Sequence, residues 1–245
     1  MKIIFSPSKE MSFQSPFNEA VNYSDKTKLI ISALQKLNKN EIKKIYKISD
    51  KVADEVANYI DSFDSEESYR AIEMYTGLAF RKFDVASLNT DERAYLDNHL
   101  IILSAFYGPI NPEKLVRPYR LDMNTGIKIN GLSLKNFWKD EFNDTFYDGE
   151  TILNLASDEF SSLIDRKRFK IYDFDFFEKK DCKLKSHSTI SKKSRGLMLN
   201  YICKNKIENI INLKNFNLEG FKFDEEHSTN SKFIFIKTIY KSYSS

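Results

Sequence analysis

The chain opens on Ile3-Ile4-Phe5, a short apolar run stopped by Ser6-Pro7, which is the pattern of a first buried strand. After a loop through Pro16, Leu29, Ile30, Ala33, Leu34 and Leu37 recur at helical spacing, and Asp25 stands where a cap is expected. A second stripe follows Ser49: Val52, Val56, Tyr59, Ile60 and Phe63 share one helical face, with Asp54, Glu55 and Asp61 lying away from it. Asn89 with Glu92 three residues on is a capping-box pattern for a further helix. That helix leads into Leu100-Ile101-Ile102-Leu103, which periodicity leaves open between a buried strand and an apolar helix end.

In the second half, Thr151 to Leu155 and Phe169 to Phe177 read as strands inside a sheet. Ser191 is placed to cap a helix carrying Leu197, Tyr201 and Ile202, and Phe221 to Phe223 and Phe233 to Ile236 supply late strands. No stretch has linker composition and no period of repeats emerges. The expectation is a mixed α/β fold over residues 1–245, one compact domain with a helix-covered sheet.

Composition supports a packed core: 41% of residues are hydrophobic, with 20 Phe and 13 Tyr among 245. The apolar N-terminal run is too short for a signal-peptide core, and no segment is long enough to span a bilayer. Cys182 and Cys203 form neither a paired-thiol motif nor a disulfide framework, so a reducing cytoplasm is expected. His99, His187 and His227 have no zinc-type spacing with either cysteine, and neither a metal nor a cofactor is expected. Thirty-eight Lys and Arg oppose 35 Asp and Glu, yet the balance is uneven. Asp50 to Leu100 holds twelve acids against five bases, whereas Asp165 to Lys206 holds thirteen bases against five acids. Such a split fits one basic face for polyanions, and equally Lys-rich strand edges in solvent.

Several clusters bear on that choice. Lys192, Lys193 and Arg195 fall in the first turn of the helix expected after Ser191, where the backbone dipole already disfavours cations unless an anion binds. Tyr107-Gly108-Pro109, with Pro112 at a helix start, outlines a helix-hairpin-helix element whose turn amides face phosphates. Arg117-Pro118-Tyr119-Arg120 pairs two guanidiniums with a ring able to stack on a base, unless the arginines pair with Asp122 and Glu113. Ser6-Pro7-Ser8-Lys9 and Asn154 through Ser157, Asp158 and Glu159 each follow a strand, where α/β ligand sites form. Neither stretch has the glycines of a nucleotide loop.

These segments together resemble the YaaA family of bacterial peroxide-stress proteins. The matching stretches are Ser6-Pro7-Ser8-Lys9, Ile48-Ser49-Asp50-Lys51, Tyr75-Thr76-Gly77-Leu78, Leu103 to Gly108, Arg117 to Met123, Phe137-Trp138, Asn154 to Glu159, Lys193 to Met198, and Phe216-Asn217 through Gly220 to Phe223-Asp224-Glu225, in the family's order. Ser8 and Ser194, where the family often has Ala, and a Lys/Asn-rich stretch from Lys204 to Leu213 depart from the pattern and are expected at the surface. The resemblance implies a cytoplasmic α/β protein with a positively charged cleft and a helix-hairpin-helix-like element, linked to peroxide survival, limited iron damage and binding of double-stranded or distorted DNA. Lys9, Lys51, Arg117, Arg120, Lys193 and Arg195 all fall within these motifs and are the expected phosphate contacts, with Tyr75 and Tyr119 against sugar or base. The alternative is an enzyme acting on a nucleotide or damaged base, with Lys9 or Lys51 as amine nucleophile and Asp158 or Glu159 as proton acceptor. A phosphorylated small molecule is the remaining partner class.

Overall fold

The computed structural model describes residues 1–181 and 183–239, so the reading of Cys182 lies outside the described residues. Strand β1 (Lys2–Phe5) is followed by the two-residue β2 (Phe17–Asn18) and by helices α1 (Asp25–Leu34), α2 (Lys39–Tyr46) and α3 (Asp50–Asp61). Then come β3 (Glu67–Arg70), α4 (Ala71–Met74), α5 (Leu78–Phe83), α6 (Thr90–His99), β4 (Leu100–Ser104), β5 (Gly108–Ile110) and β6 (Leu115–Val116). The hairpin β7 (Lys128–Ile129) and β8 (Leu132–Ser133) precedes α7 (Leu134–Asp144), β9 (Thr151–Leu155), α8 (Asp158–Ser161), β10 (Lys170–Lys180) and β11 (Lys183–Lys185). Helix α9 (Ser188–Lys204), β12 (Lys222–Asp224) and β13 (Lys232–Thr238) complete the order.

The main sheet has eight strands in the order β12-β13-β10-β9-β1-β4-β5, with β11 beside β10. Its five inner strands, β13, β10, β9, β1 and β4, are parallel. Strands β12, β11 and β5 run antiparallel at the margins. Parallel strands need long crossovers and are buried on their faces, which explains the unbroken apolar run Ile3-Ile4-Phe5 at 0–1% exposure. Helix α6 packs on β1, α9 on β10 and α7 on β5. The mixed α/β fold is as expected.

Local chemistry explains most element starts. The Asn89–Glu92 box is present in both directions and opens α6. The cap of α1 is Ser24, whose Oγ accepts from the Thr27 amide, and Asp25 is the first helical residue instead. Leu100 to Leu103 is a strand, resolving that ambiguity: its neighbour in the sheet is β1, whose Ile3, Ile4 and Phe5 are fully buried. Asn130 and Gly131, both at positive φ, form the two-residue turn of the β7–β8 hairpin.

Two expectations need correction. The Tyr107 to Val116 segment is not helical: β5 pairs back on β4 (Ser104 with Gly108, Leu103 with Pro109), and Leu115–Val116 pairs with β3. The apolar alternation around Gly108 is satisfied by the sheet margin, so Pro112 starts no helix. A helix, short turn, helix outline occurs instead at α2 and α3, joined by Lys47 at φ 54°, Ile48 and Ser49. Helix α9 begins at Ser188, not after Ser191, because Ile190 is buried and has to be carried on the helix. Lys192 and Arg195 therefore lie past the first turn, three residues apart on one face.

Candidate anion-binding cleft

Strands β1 and β9 pair in register, Ile4 with Asn154 and Phe5 with Leu155, so the chain leaves the sheet at Ser6 and Ala156 side by side. The Ser157 amide donates to Ser6 Oγ at 2.8 Å, and the two hydroxyls lie 3.1 Å apart. The carboxyl ends of parallel strands are where such sheets open crevices, and here a cleft of about 560 Å³ opens. Phe5, Leu155 and Phe160 give it an apolar floor, Ser188, Thr189, Lys192 and Arg195 of α9 form one wall, and Lys9, Arg120 and Asp122 stand among the remaining lining residues.

Helix α9 is seated by Gly196, where a Cβ would lie 2.0 Å from the Ala79 carbonyl oxygen of α5. No larger residue allows the two backbones to approach so closely. The adjoining Ser194, expected at the surface, is fully buried, and its Oγ has no partner.

Among the described residues, neither Arg120 nor Arg195 has a carboxylate at ion-pair distance or a side-chain hydrogen bond. Burial holds Arg195 below the ordinary arginine range, outweighing its attraction to Asp158 and Asp175. Lys9 is tied to Asp122 at 2.6 Å, and Arg81, which sequence reasoning missed, is tied to Glu10 at 2.6 Å. Glu159 lines the cleft, and its Oε1 accepts from the Asn124 amide at 3.3 Å.

Residues 1–227 match the sequence model of a family described as peroxide stress protein YaaA. The chain belongs to this family. It is 38% identical over 247 residues to a UPF0246 protein of Fusobacterium nucleatum, covering 97% of this chain and 99% of that protein. A UPF0246 protein of Streptococcus gordonii is 36% identical over 242 residues, with 98% and 99% covered, and one of Finegoldia magna 35% over 246, with 98% and 99%.

Of the candidate residues read from the sequence, Lys9, Tyr119, Arg120, Ser157, Glu159, Lys192 and Arg195 come together at the cleft. The others do not. Arg117 is buried at 4% exposure and donates to the Ser65 and Glu67 carbonyls, so its charge faces protein. Asn154 is turned to Asp173, donating at 2.7 Å. Gly108 sits in β5 against the Trp138 ring. Lys51 is in the first turn of α3, Asp158 is exposed in the first turn of α8, and Lys193 lies off the α9 face that meets the cleft. The rings expected to stack on a base are core residues: Tyr75 is 2% exposed and Tyr119 3%. The Tyr119 hydroxyl joins Tyr75 at 2.9 Å and Ser104 at 2.8 Å, its ring stacks on Phe106, and burial pushes its phenol up to about 12.

Among the described residues no three His, Cys, Asp or Glu side chains gather as a metal site. The Glu225-Glu226-His227 stretch is a turn in which His227 Nδ1 lies 2.6 Å from Asp224. No helix among the described residues is long and apolar enough to cross a membrane.

Proposed function

We propose that this member of the peroxide-stress family is a cytoplasmic protein that holds DNA phosphates in the cleft and thereby shields DNA from iron-driven radical damage. The observation that carries the reading is the pair Arg120 and Arg195: two guanidiniums in one cleft without a carboxylate partner. Unpaired, partly desolvated guanidiniums are costly alone and favourable around phosphate, which accepts their N–H groups bidentately. Lys192 adds a third unpaired cation, and the amides at the start of α3 have no side-chain cap from Ser49.

The test is fluorescence anisotropy on duplex and on mismatched duplex across a salt series. Log affinity is expected to fall linearly with log salt, and Arg120→Ala to weaken binding and flatten the slope by about one unit. Salt-independent binding, or none, overturns the reading.

One observation favours a second reading, an enzyme acting on a nucleotide or damaged base. A cleft of about 560 Å³ matches the size of small-ligand sites, roughly 300–1,000 Å³, and it holds the Glu159 carboxylate beside the Ser6 and Ser157 hydroxyls. Lys9 is exposed and ion-paired, which is not the desolvated setting of a nucleophilic amine. Borohydride trapping on abasic duplex and product analysis after incubation with nucleotides separate the readings: an adduct or a product lost in Glu159→Gln supports the enzyme.

A further inference from the structure

The cleft does not end at α9. Three residues before that helix, the chain forms a ribbon in which β11 folds back on β10, and two positively charged residues meet face to face: Lys180 is paired with Lys183. The register also pairs Glu178 with Lys185 and Lys179 with Leu184. Side chains two apart on a strand share a face, so Lys180, Lys183 and Lys185 stand together with Glu178 as the one acid among them. Lys179, Lys180 and all of β11 are exposed. Among the described residues, none of the four lysines has a carboxylate within ion-pair distance.

Like charges directly opposite across an antiparallel pair are destabilising. Lysines that merely blunt a sheet edge against aggregation do not have to oppose one another across a pair, so the arrangement points to an absent anionic partner. Its position names the partner. Lys185 and Ser188 are three residues apart, a reach of at most about 10 Å, and Ser188, Lys192 and Arg195 already line the cleft. The ribbon thus adjoins the α9 wall of the cleft along the chain, and Lys180, Lys183, Lys185, Lys192 and Arg195 together are more cations than a single nucleotide needs. A two-stranded ribbon also fits the major groove of a duplex.

We infer that the β10–β11 ribbon is a second nucleic-acid contact, its lysines following the phosphates of a duplex while the cleft receives the end of a strand or a nucleotide displaced from the stack. This rests on the DNA reading above and specifies its geometry: duplex outside, one nucleotide inside.

The experiment compares wild type, the triple variant Lys180→Gln, Lys183→Gln, Lys185→Gln, and Arg195→Ala. Two probes are used: a short fluorescent duplex with an unpaired phosphorylated end, and deoxyadenosine monophosphate. The triple variant is expected to lose at least tenfold in duplex affinity and to flatten the salt slope by roughly two to three units, at about 0.9 per phosphate contact, with mononucleotide affinity unchanged. Arg195→Ala is expected to weaken both probes. Thermal unfolding of the triple variant is expected at or above the wild-type temperature, since it removes opposed charges. A triple variant that binds the duplex with the wild-type slope overturns the ribbon contact and leaves the cleft reading standing. So does one that keeps its affinity but precipitates, which assigns the lysines to guarding the sheet edge. Wild-type protein that binds no duplex overturns both.

Discussion

The phenol of Tyr107 accepts a hydrogen bond from the Arg117 amide at 2.7 Å and donates one to the Arg117 carbonyl at 3.2 Å. A side chain thus takes the place of a neighbouring strand, and the backbone at Arg117 is held while the guanidinium turns inward to the Ser65 and Glu67 carbonyls. Three residues later Arg120 points the other way, into the cleft. Arg117→Ala is therefore expected to lower stability by about 2–3 kcal/mol, the scale of charged hydrogen bonds lost from a buried place. Arg120→Ala is expected to leave the denaturation midpoint almost unmoved while anion affinity falls. Urea unfolding alongside anisotropy checks both, and equal behaviour of the two variants contradicts the assignment.

Gly196→Ala sets two effects against each other. Alanine in a helix interior gains about 1 kcal/mol over glycine, but the new Cβ would sit 2.0 Å from the Ala79 carbonyl oxygen, a backbone atom. Moving α5 aside costs on the order of 1–3 kcal/mol or more, and Arg195 moves with α9. The expected result is a midpoint several degrees lower in calorimetry and a weakened cleft; an unchanged or raised midpoint refutes the close approach.

Tyr119→Phe removes one hydroxyl and leaves two buried partners, Tyr75 and Ser104, short of a hydrogen bond. A loss of about 1–3 kcal/mol is expected in chemical denaturation. Because the ring is core and not a stacking surface, ligand affinity of the folded variant is expected to stay within a factor of a few.

Arg166 and Asp173 supply a pH signature. Burial by itself raises the Asp173 carboxyl, but hydrogen bonds from Arg166 and Asn154 outweigh it and hold the group below its usual 3.8. A carboxyl lowered on folding lends stability that is fully present above 3.8 and fades as pH falls through the folded value. Arg166 is 55% exposed, so solvent screening limits the pair to about 1 kcal/mol. Arg166→Ala is expected to melt below wild type by a constant margin from neutral pH down to about pH 5 and to converge with it in stronger acid. A margin that widens on acidification disproves the coupling.

Legibility in the sequence followed physical scale. The Asn89–Glu92 box and the period of Val52, Val56 and Ile60 are local signals, and both define helices where they stand. The strand at Leu100 needed knowledge of its neighbour, because apolar runs of that length suit a sheet or a helix end alike. Asn130-Gly131 is a two-residue hairpin signal carried entirely by local sequence. At the cleft, residue type distinguished cations from other residues but not their directions. Arg117 and Arg120 look equivalent in sequence, and only the carbonyls of Ser65 and Glu67, fifty or more residues earlier, make one structural. Lys192 and Lys193 are neighbours on α9, about 100° apart, and only Lys192 is on the side that meets the cleft.

The placement of β1 in the middle of the sheet has a consequence for how the protein is made. Ile3, Ile4 and Phe5 find their neighbours only at Leu100–Ile102 and Leu153–Leu155. At about 5–20 residues per second of synthesis, this fully buried segment waits several seconds for one flank and longer for the other. During that interval it is an open template for any passing strand, and the nascent chain depends on being sheltered until its own middle arrives.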